Sequence, residues 1–284
     1  MPAEGDTLAD YVLGRVIGRG GGGGTVHLAQ DRRDGRWVAL KLLPSEGAFA
    51  SDAREELHAR FLQEADIARR LRHPDIVSVL AAGEAAGALW LAMELVTGCS
   101  LERYVQPRRL LPPPVVAEMG LRLARALAHA HSLGIVHRDI KPSNVLVDLA
   151  ADVLKLTDFG TARMADSTRT RTEVMIGTPV YMAPEQLAGS VPTPASDVYA
   201  LGVTLFQLLA GRLPHEADTL GELLRRVAGE PAPDLRALQP GVPAPLAALV
   251  ARLLAARASD RPASGDELVQ AVRAAQAGGG AKSR

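Results

Sequence analysis

His137-Arg138-Asp139-Ile140-Lys141-Pro142-Ser143-Asn144 gathers a carboxylate, an ammonium and an amide into one short stretch, and Asp158-Phe159-Gly160 follows fourteen positions after Asn144. These types at this spacing suit phosphoryl transfer from ATP. A loose, largely dissociative transfer of a γ-phosphoryl group leaves the protein little covalent work. It must supply oxygen ligands for a metal ion, a carboxylate that orients the attacking hydroxyl, and positive charge on the moving group. Asp139 can accept the proton of a hydroxyl, and Lys141 can reach the transferring phosphate. Asn144 and Asp158 offer hard oxygen donors of the kind Mg²⁺ takes. Nothing in this scheme calls for a cysteine or histidine ligand.

Those groups act only if other elements bring a nucleotide to them. Tyr11 to Ile17 and Thr25 to Gln30 are short alternating apolar runs on either side of the glycine run Gly18 to Gly24. Arg36 to Leu43 is a third, joined through the turn Asp31 to Gly35, and the pattern reads as an antiparallel meander. A dinucleotide-binding glycine turn opens a helix, whereas Thr25-Val26-His27-Leu28-Ala29 alternates as a strand, so the run reads as a phosphate-covering hairpin. Glycine suits it because backbone N–H groups must approach phosphates at positive φ without a Cβ in the way. In the third strand Val38, Leu40 and Leu42 alternate with Ala39, Lys41 and Leu43, which puts Lys41 on a face with two apolar residues, where an unpaired ammonium would be costly. Ser51 to Leu71 has helical spacing up to Pro74, with Glu64 amid Leu62, Ala65 and Ala68, and Ile76 to Leu80 and Leu89 to Leu95 read as two more strands. After Thr97-Gly98-Cys99 the character changes: Val115 to Leu133, Val198 to Leu209, Leu220 to Ala228 and Leu246 to Ala258 read as helices of a second lobe.

Taken in order, these motifs resemble the protein kinases of eukaryotic type, and specifically the bacterial serine/threonine protein kinases. Gly18 to Val26 resembles the glycine-rich loop, Val38-Ala39-Leu40-Lys41 the strand lysine, and Glu64 its partner on the following helix. His137 to Asn144 resembles the catalytic loop, Asp158-Phe159-Gly160 the metal motif, and Ala183-Pro184-Glu185 the end of the activation segment. Any one of these words arises by chance, but six in the right order rarely do. The resemblance implies an α+β, bilobal protein kinase fold with a small antiparallel-sheet N-lobe carrying one key helix and a larger helical C-lobe. The expected divisions are an N-terminal extension over 1–10, the N-lobe over 11–96, the C-lobe over 97–275 and a flexible tail over 276–284.

The resemblance also implies roles. The γ-phosphoryl of ATP would pass, with Mg²⁺ or alternatively Mn²⁺, to Ser or Thr hydroxyls of proteins. Asp139, Lys141, Lys41, Glu64 and Thr178 would be catalytic, Glu64 holding Lys41 toward the α- and β-phosphates, while Asn144 and Asp158 would hold the metal. The nucleotide would meet Ile17, Gly18, Gly20, Gly24, Val26, Ala39, Lys41, Met93, Glu94, Val96 and Leu146, with 93–96 as the hinge whose backbone pairs with adenine. Lys141 two residues after Asp139, and Thr178 ahead of Tyr181 to Glu185, resemble the serine/threonine branch. Arg138 and Arg163 would meet a phosphate carried by the activation segment, and Thr170 and Thr172 would be autophosphorylated, a reaction in which the chain is expected to dimerise. Glu185 with Arg261, and Asp197, would be structural braces, and His137 would position the loop. The glycine run is one residue longer than the family pattern, which predicts a slack loop and weaker ATP binding. That length is the sole sequence support for the alternative, a pseudokinase acting as a nucleotide- or protein-binding regulatory module. A small-molecule phosphotransferase would not need the segment from Gly177 to Glu185.

Composition narrows the partners. Lysine plus arginine and aspartate plus glutamate each number 32, so no net field favours nucleic acid. Cys99 is the single cysteine and Met1 to Asp10 is acidic with no apolar signal core, so a cytoplasmic, reducing compartment is expected. The longest apolar window, Val198 to Ala210, falls short of the roughly 20 residues a bilayer requires, and no membrane segment is expected in this chain. His129 and His131, two apart on a helix, face different sides and are not expected to share a metal.

Overall fold

The computed structural model describes residues 3–19, 24–44, 61–63, 65–159 and 179–280. They form two compact units that divide between Thr97 and Gly98, with Phe159 belonging to the first.

The first unit is built on an antiparallel sheet of β1 (Thr7–Leu8), β2 (Tyr11–Arg19), β3 (Thr25–Asp31), β4 (Trp37–Pro44), β5 (Val79–Ala85) and β6 (Ala88–Glu94), in the order β1-β2-β3-β4-β6-β5. β5 and β6 are joined by Ala86-Gly87, both at positive φ (49° and 71°), the two-residue turn whose twist matches that of the strands it joins. β4 is apolar along its length because both its faces are covered. Val38, Leu40 and Leu42 pack with Leu8, Tyr11, Leu13, Ala29 and Ala92 on one side. Ala39 and Leu43 lie on the other, with Phe61, Ala65, Val77, Leu89, Leu91 and Met93. Phe61 and Ala65 come from the helical residues 61–63 and 65–69, the described part of the helix expected over 51–71.

Residues 7–8, within the expected N-terminal extension, form a strand: Leu8 is buried and pairs with Tyr11 at the edge of the sheet. One sequence expectation needs correcting here. The next strand starts at Val79 and not at Ile76, which makes an isolated bridge while its N–H is donated to the His73 carbonyl and its side chain is buried.

The second unit holds helices α1 (Pro113–Ser132), α2 (Pro184–Leu187), α3 (Pro194–Ala210), α4 (Leu220–Gly229), α5 (Leu235–Leu238), α6 (Ala244–Leu253) and α7 (Gly265–Gly280), with a small sheet of β7 (Cys99–Ser100), β8 (Val145–Asp148) and β9 (Val153–Leu156). α3 is its axis. Proline at its first position and Gly211 at φ 72° after its end mark both boundaries. Between them, Asp197 to Phe206 are all buried, against α1 on one side and α6 on the other. α6 is shorter than the helix expected over 246–258, ending at Leu253 before a 3₁₀ turn at Ala258–Asp260. The flexible tail expected from residue 276 is likewise corrected, since α7 continues to Gly280. Glycines favour coil, but α7 lies along α1 and α6, with Gly278 seated against Pro245, and packing overrides propensity.

Gly98 opens this unit at φ 127°, and a Cβ on it would lie 2.2 Å from the Val147 carbonyl oxygen. Gly98→Ala therefore meets a forbidden backbone conformation and a backbone clash together. A loss of about 2 kcal/mol is expected in chemical denaturation, with β7 the first element released. Unchanged stability would mean that the β7–β8 pairing relaxes freely.

Candidate active site

The chemistry-bearing loop of the second unit hangs from α3. Asp197, in the first turn of that helix and 1% exposed, accepts three hydrogen bonds. The His137 N–H donates to its Oδ2 and the Arg138 N–H to its Oδ1, both at 2.8 Å, and His131 Nε2 reaches Oδ2 at 2.8 Å. Arg138 takes a left-handed backbone at φ 74°, a conformation costing about 1 kcal/mol or more that these bonds hold in place. His137 is wholly buried, with Nε2 2.8 Å from the Thr157 carbonyl and Nδ1 accepting the Asp139 N–H at 3.2 Å. A carbonyl only accepts and a backbone N–H only donates, so the arrangement fits the neutral ring protonated at Nε2. The imidazole thus ties residue 139 to residue 157 and is no metal ligand.

Asp139 is the exposed end of this lattice, with 39% of its side chain accessible. Its Oδ2 lies 2.8 Å from Lys141 Nζ and accepts from Asn144 Nδ2 at 3.0 Å. Asn144 Nδ2 also donates to the Asp139 carbonyl at 2.7 Å. The Asn144 amide nitrogen is therefore spent on Asp139, which leaves its oxygen as the atom able to ligate a cation. Val145 pairs with Leu156 across β8 and β9, and the Thr157 N–H donates to the Asn144 carbonyl at 2.9 Å, so Asn144 and Asp158 stand at neighbouring strand ends. Asp158 is again left-handed, at φ 67°. An amide oxygen and a carboxylate fit a hard divalent cation that takes its other ligands from water and phosphate. Among the described residues no cluster of three or more His, Cys, Asp or Glu offers a rival metal site.

Within the first unit, one face of the sheet gathers further candidate residues. Lys41, 3% exposed, stands opposite Val26 on β3 and Leu91 on β6, while Ala39 stands opposite Leu28 and Met93. Cross-strand partners share a face, so Val26, Ala39, Lys41 and Met93 are brought together, with Val96 packed at the same cluster. Glu94 is tied to Ser78 twice, donating its N–H to the Ser78 carbonyl at 2.9 Å and accepting the Ser78 N–H on its carboxylate at 2.7 Å. β2 carries two bulges, between Leu13 and Val16 and between Val16 and Gly18. Ile17, in the second of them, is 39% exposed, and Gly18 faces Val26. The strands stay paired as far as Arg19 and Thr25. Gly24 is buried where a Cβ would come 2.9 Å from the Leu42 carbonyl oxygen. Leu146 lies on β8 opposite Lys155, in the second unit. Gly20, Glu64, Gly160, Arg163, Thr170, Thr172 and Thr178 lie outside the described residues.

A second brace closes the helical core. Arg261, with no exposed side-chain surface, meets Glu185 through two nitrogens at 2.8 and 3.0 Å. It also donates to the carbonyls of Ala195, Ala255 and Ala256 and lies over the Tyr199 ring. Burial alone would raise the Glu185 carboxyl, but the bonds and charge of Arg261 outweigh it and hold the group below its usual range.

Two contacts had no local signal in the sequence. His131 finds Asp197 across sixty-six positions, and the Tyr181 hydroxyl donates to Gln207 Oε1 at 2.5 Å. Burial pushes the Tyr181 phenol up to about 12. A polar residue inside an apolar helix, as Gln207 is, marks such a partner without naming it.

The protein kinase domain model matches residues 11–272 of the chain. The chain is 39% identical over 234 residues to the serine/threonine-protein kinase PrkC of Bacillus subtilis (strain 168), which covers 82% of this chain and 35% of that protein. It is 38% identical over 284 residues to the serine/threonine-protein kinase PknJ of Mycobacterium tuberculosis, which covers 98% of this chain and 47% of that one. The chain thus spans only about a third to a half the length of these curated relatives. The crystal structure of the Mycobacterium tuberculosis PknI kinase domain is similar with a TM-score of 0.74 and 31% identity, over 97% of this chain and all of that one.

Proposed function

The chain belongs to the protein kinase family, and on that footing we propose that it transfers the γ-phosphoryl group of ATP to Ser or Thr hydroxyls of proteins. The observation that carries this reading is the state of Asp139. One carboxylate oxygen is engaged by Lys141 and Asn144, while the group stays open to solvent on a braced loop. Oδ1, which bonds neither, is the acceptor for the hydroxyl of a substrate. The hydroxyl oxygen forms the new bond to the γ-phosphorus, the bond from that phosphorus to the β–γ bridging oxygen breaks, ADP leaves, and the hydroxyl proton passes to Asp139. Lys141, two residues on, can place its ammonium against the charge of the moving group, and Lys41 against the α- and β-phosphates, with Glu64 as its partner. Asn144 and Asp158 would hold the divalent cation, which we take to be Mg²⁺ and which supplies neutralising charge between the phosphates when bound.

All the residues the transfer requires are present, so nothing favours a regulatory module without turnover. Protein substrates, ATP and, during autophosphorylation, a second copy are the partners of this proposal. A reducing cytoplasm is its setting, in keeping with the free, half-buried Cys99. Among the described residues no helix is long and apolar enough to cross a membrane. Phosphate from labelled ATP should appear on the purified chain and on a generic basic protein. ATP binding without any transfer would sink the enzyme reading.

The same reading predicts phosphate on Thr170 and Thr172. A phosphate brings about −1.5 to −2 charges and three acceptor oxygens to a segment expected to meet Arg138 and Arg163. Mass spectrometry of protein made with ATP should find it there, and replacing both threonines by alanine should lower activity on added substrate severalfold. Full activity in the doubly substituted protein would remove activation by this route.

A further inference from the structure

His27 on β3 stands opposite Val16, the residue of β2 that keeps register between the two bulges. It is 4% exposed and engages both ring nitrogens. Nδ1 lies 3.2 Å from the carbonyl oxygen of Gly14, inside the first bulge, and Nε2 lies 3.2 Å from the Thr25 hydroxyl, at the hairpin end of β3. A carbonyl only accepts, so Nδ1 carries a proton, and in the neutral ring Nε2 accepts from the hydroxyl. The bulge is also tightly closed, since a Cβ on Gly14 would come 2.9 Å from the Leu28 carbonyl oxygen. Side chains alternate along a strand: Val26 stands opposite Lys41, whereas His27 stands opposite Leu40, which belongs to the other core cluster. The ring therefore acts on the backbone from the face turned away from Lys41.

We propose that His27 is a positioning residue for ATP, fixing the register in which the bulged strand presents Ile17, Gly18 and Val26. This rests on the protein kinase reading, in which those three residues meet the nucleotide. A bulge lets a strand gain a residue, but it also opens alternative pairings, and a slip by one residue turns every side chain beyond it to the other face. Such a slip would carry Ile17 off the nucleotide. The bond from the buried ring to a carbonyl inside the bulge singles out one register. The bond to Thr25 ties the same ring to β3, so one side chain holds both legs of the glycine hairpin. The glycine run is one residue longer than the family pattern, which makes a fixed base matter more: order already present in the legs is order that ATP binding need not impose.

Three variants test this. His27→Phe keeps a buried ring and removes both bonds, His27→Asn keeps a donor where Nδ1 stands, and Thr25→Val removes the second bond alone. For each, the Kd for ATP is measured by calorimetry in magnesium chloride, together with kcat on a generic basic protein and the melting temperature. His27→Phe should weaken ATP binding roughly 5- to 10-fold, as expected for the loss of about one net hydrogen bond, with kcat kept within about twofold. His27→Asn should return the Kd to within about twofold of wild type, and Thr25→Val should fall between. A role in stability alone would lower the melting temperature and leave the Kd of the folded protein unchanged, and that result overturns the inference. So does a His27→Asn protein that binds ATP no better than His27→Phe. Should His27→Phe fail to fold, Thr25→Val decides, and wild-type affinity in it counts against the proposal. A wild type that binds ATP but phosphorylates nothing overturns the kinase reading while the comparison of Kd values still judges His27, and a wild type that binds no ATP overturns both.

Discussion

Asp139→Asn should lower the rate of phosphate transfer by two or more orders of magnitude, about 3 kcal/mol or more of barrier, while the protein stays folded. The replacement is nearly isosteric, and the loop that carries it is fixed from elsewhere: the amides of residues 137 and 138 bind Asp197, and the His137 ring holds Thr157. Shape is therefore kept and charge is lost. An amide cannot take the hydroxyl proton, and the ammonium of Lys141, now 2.8 Å from a neutral group, loses its ion pair. ATP affinity measured by calorimetry should change far less than the rate, because neither Lys41 nor the glycine hairpin is touched. A folded Asp139→Asn protein that transfers phosphate at near the wild-type rate would show that the acceptor hydroxyl is oriented by another group.

Glu185→Ala should produce the largest loss of stability, about 3 to 5 kcal/mol, because it leaves the Arg261 guanidinium buried with no compensating charge. Against a total of about 5 to 15 kcal/mol for a folded domain, that loss would unfold much of the second unit on mild heating. The three carbonyls that also accept from Arg261 remain, so the residual charge is hydrogen-bonded but not neutralised. Replacing both members at once, Glu185→Leu with Arg261→Met, should recover most of the loss, since burying an ion pair carries its own desolvation cost. The pH dependence has a defined sign. The Glu185 carboxyl sits below its ordinary value of 4.5 in the folded protein, so its contribution is complete above that value and is lost as pH falls through the lower folded one. Thermal melts of wild type and Glu185→Gln should therefore converge as the pH falls below 4.5 and through the lower folded value. Parallel curves down to the acid limit would place the stabilisation elsewhere.

Elements with dense local signals were legible before any coordinates. β4 could be read because a lysine alone in an apolar strand contradicts ordinary solvation, and its burial between two clusters is the reason for both features. The loop from His137 to Asn144 could be read because its reacting groups are contiguous. β1, β7 and β8 were hidden because two to four residues carry too little periodicity to separate a strand from a turn. The end of α7 was misread because its glycines speak for coil, and only the helices alongside it decide otherwise. The second partner of Asp197 could not have been found at all from spacing. His131 belongs to a helix whose apolar face looks complete without it, and the acid it serves lies sixty-six positions on.

The Asp197 carboxylate sets a limit on where this protein can breathe. Amide hydrogens exchange with solvent only when their bond opens, and those of His137 and Arg138 end on an oxygen pair that belongs to the buried axis of the helical unit. Fraying of the loop alone would leave one oxygen of that buried carboxylate unmet, with His131 holding the other, so the two amides should open together with α3 as it comes away from α1 and α6. The reacting loop thus shares the lifetime of the core. Whatever opens and closes during a catalytic cycle must do so around it, and a substitution deep in α3, such as Val203→Ala, should surface as a change in turnover although it touches neither nucleotide nor substrate.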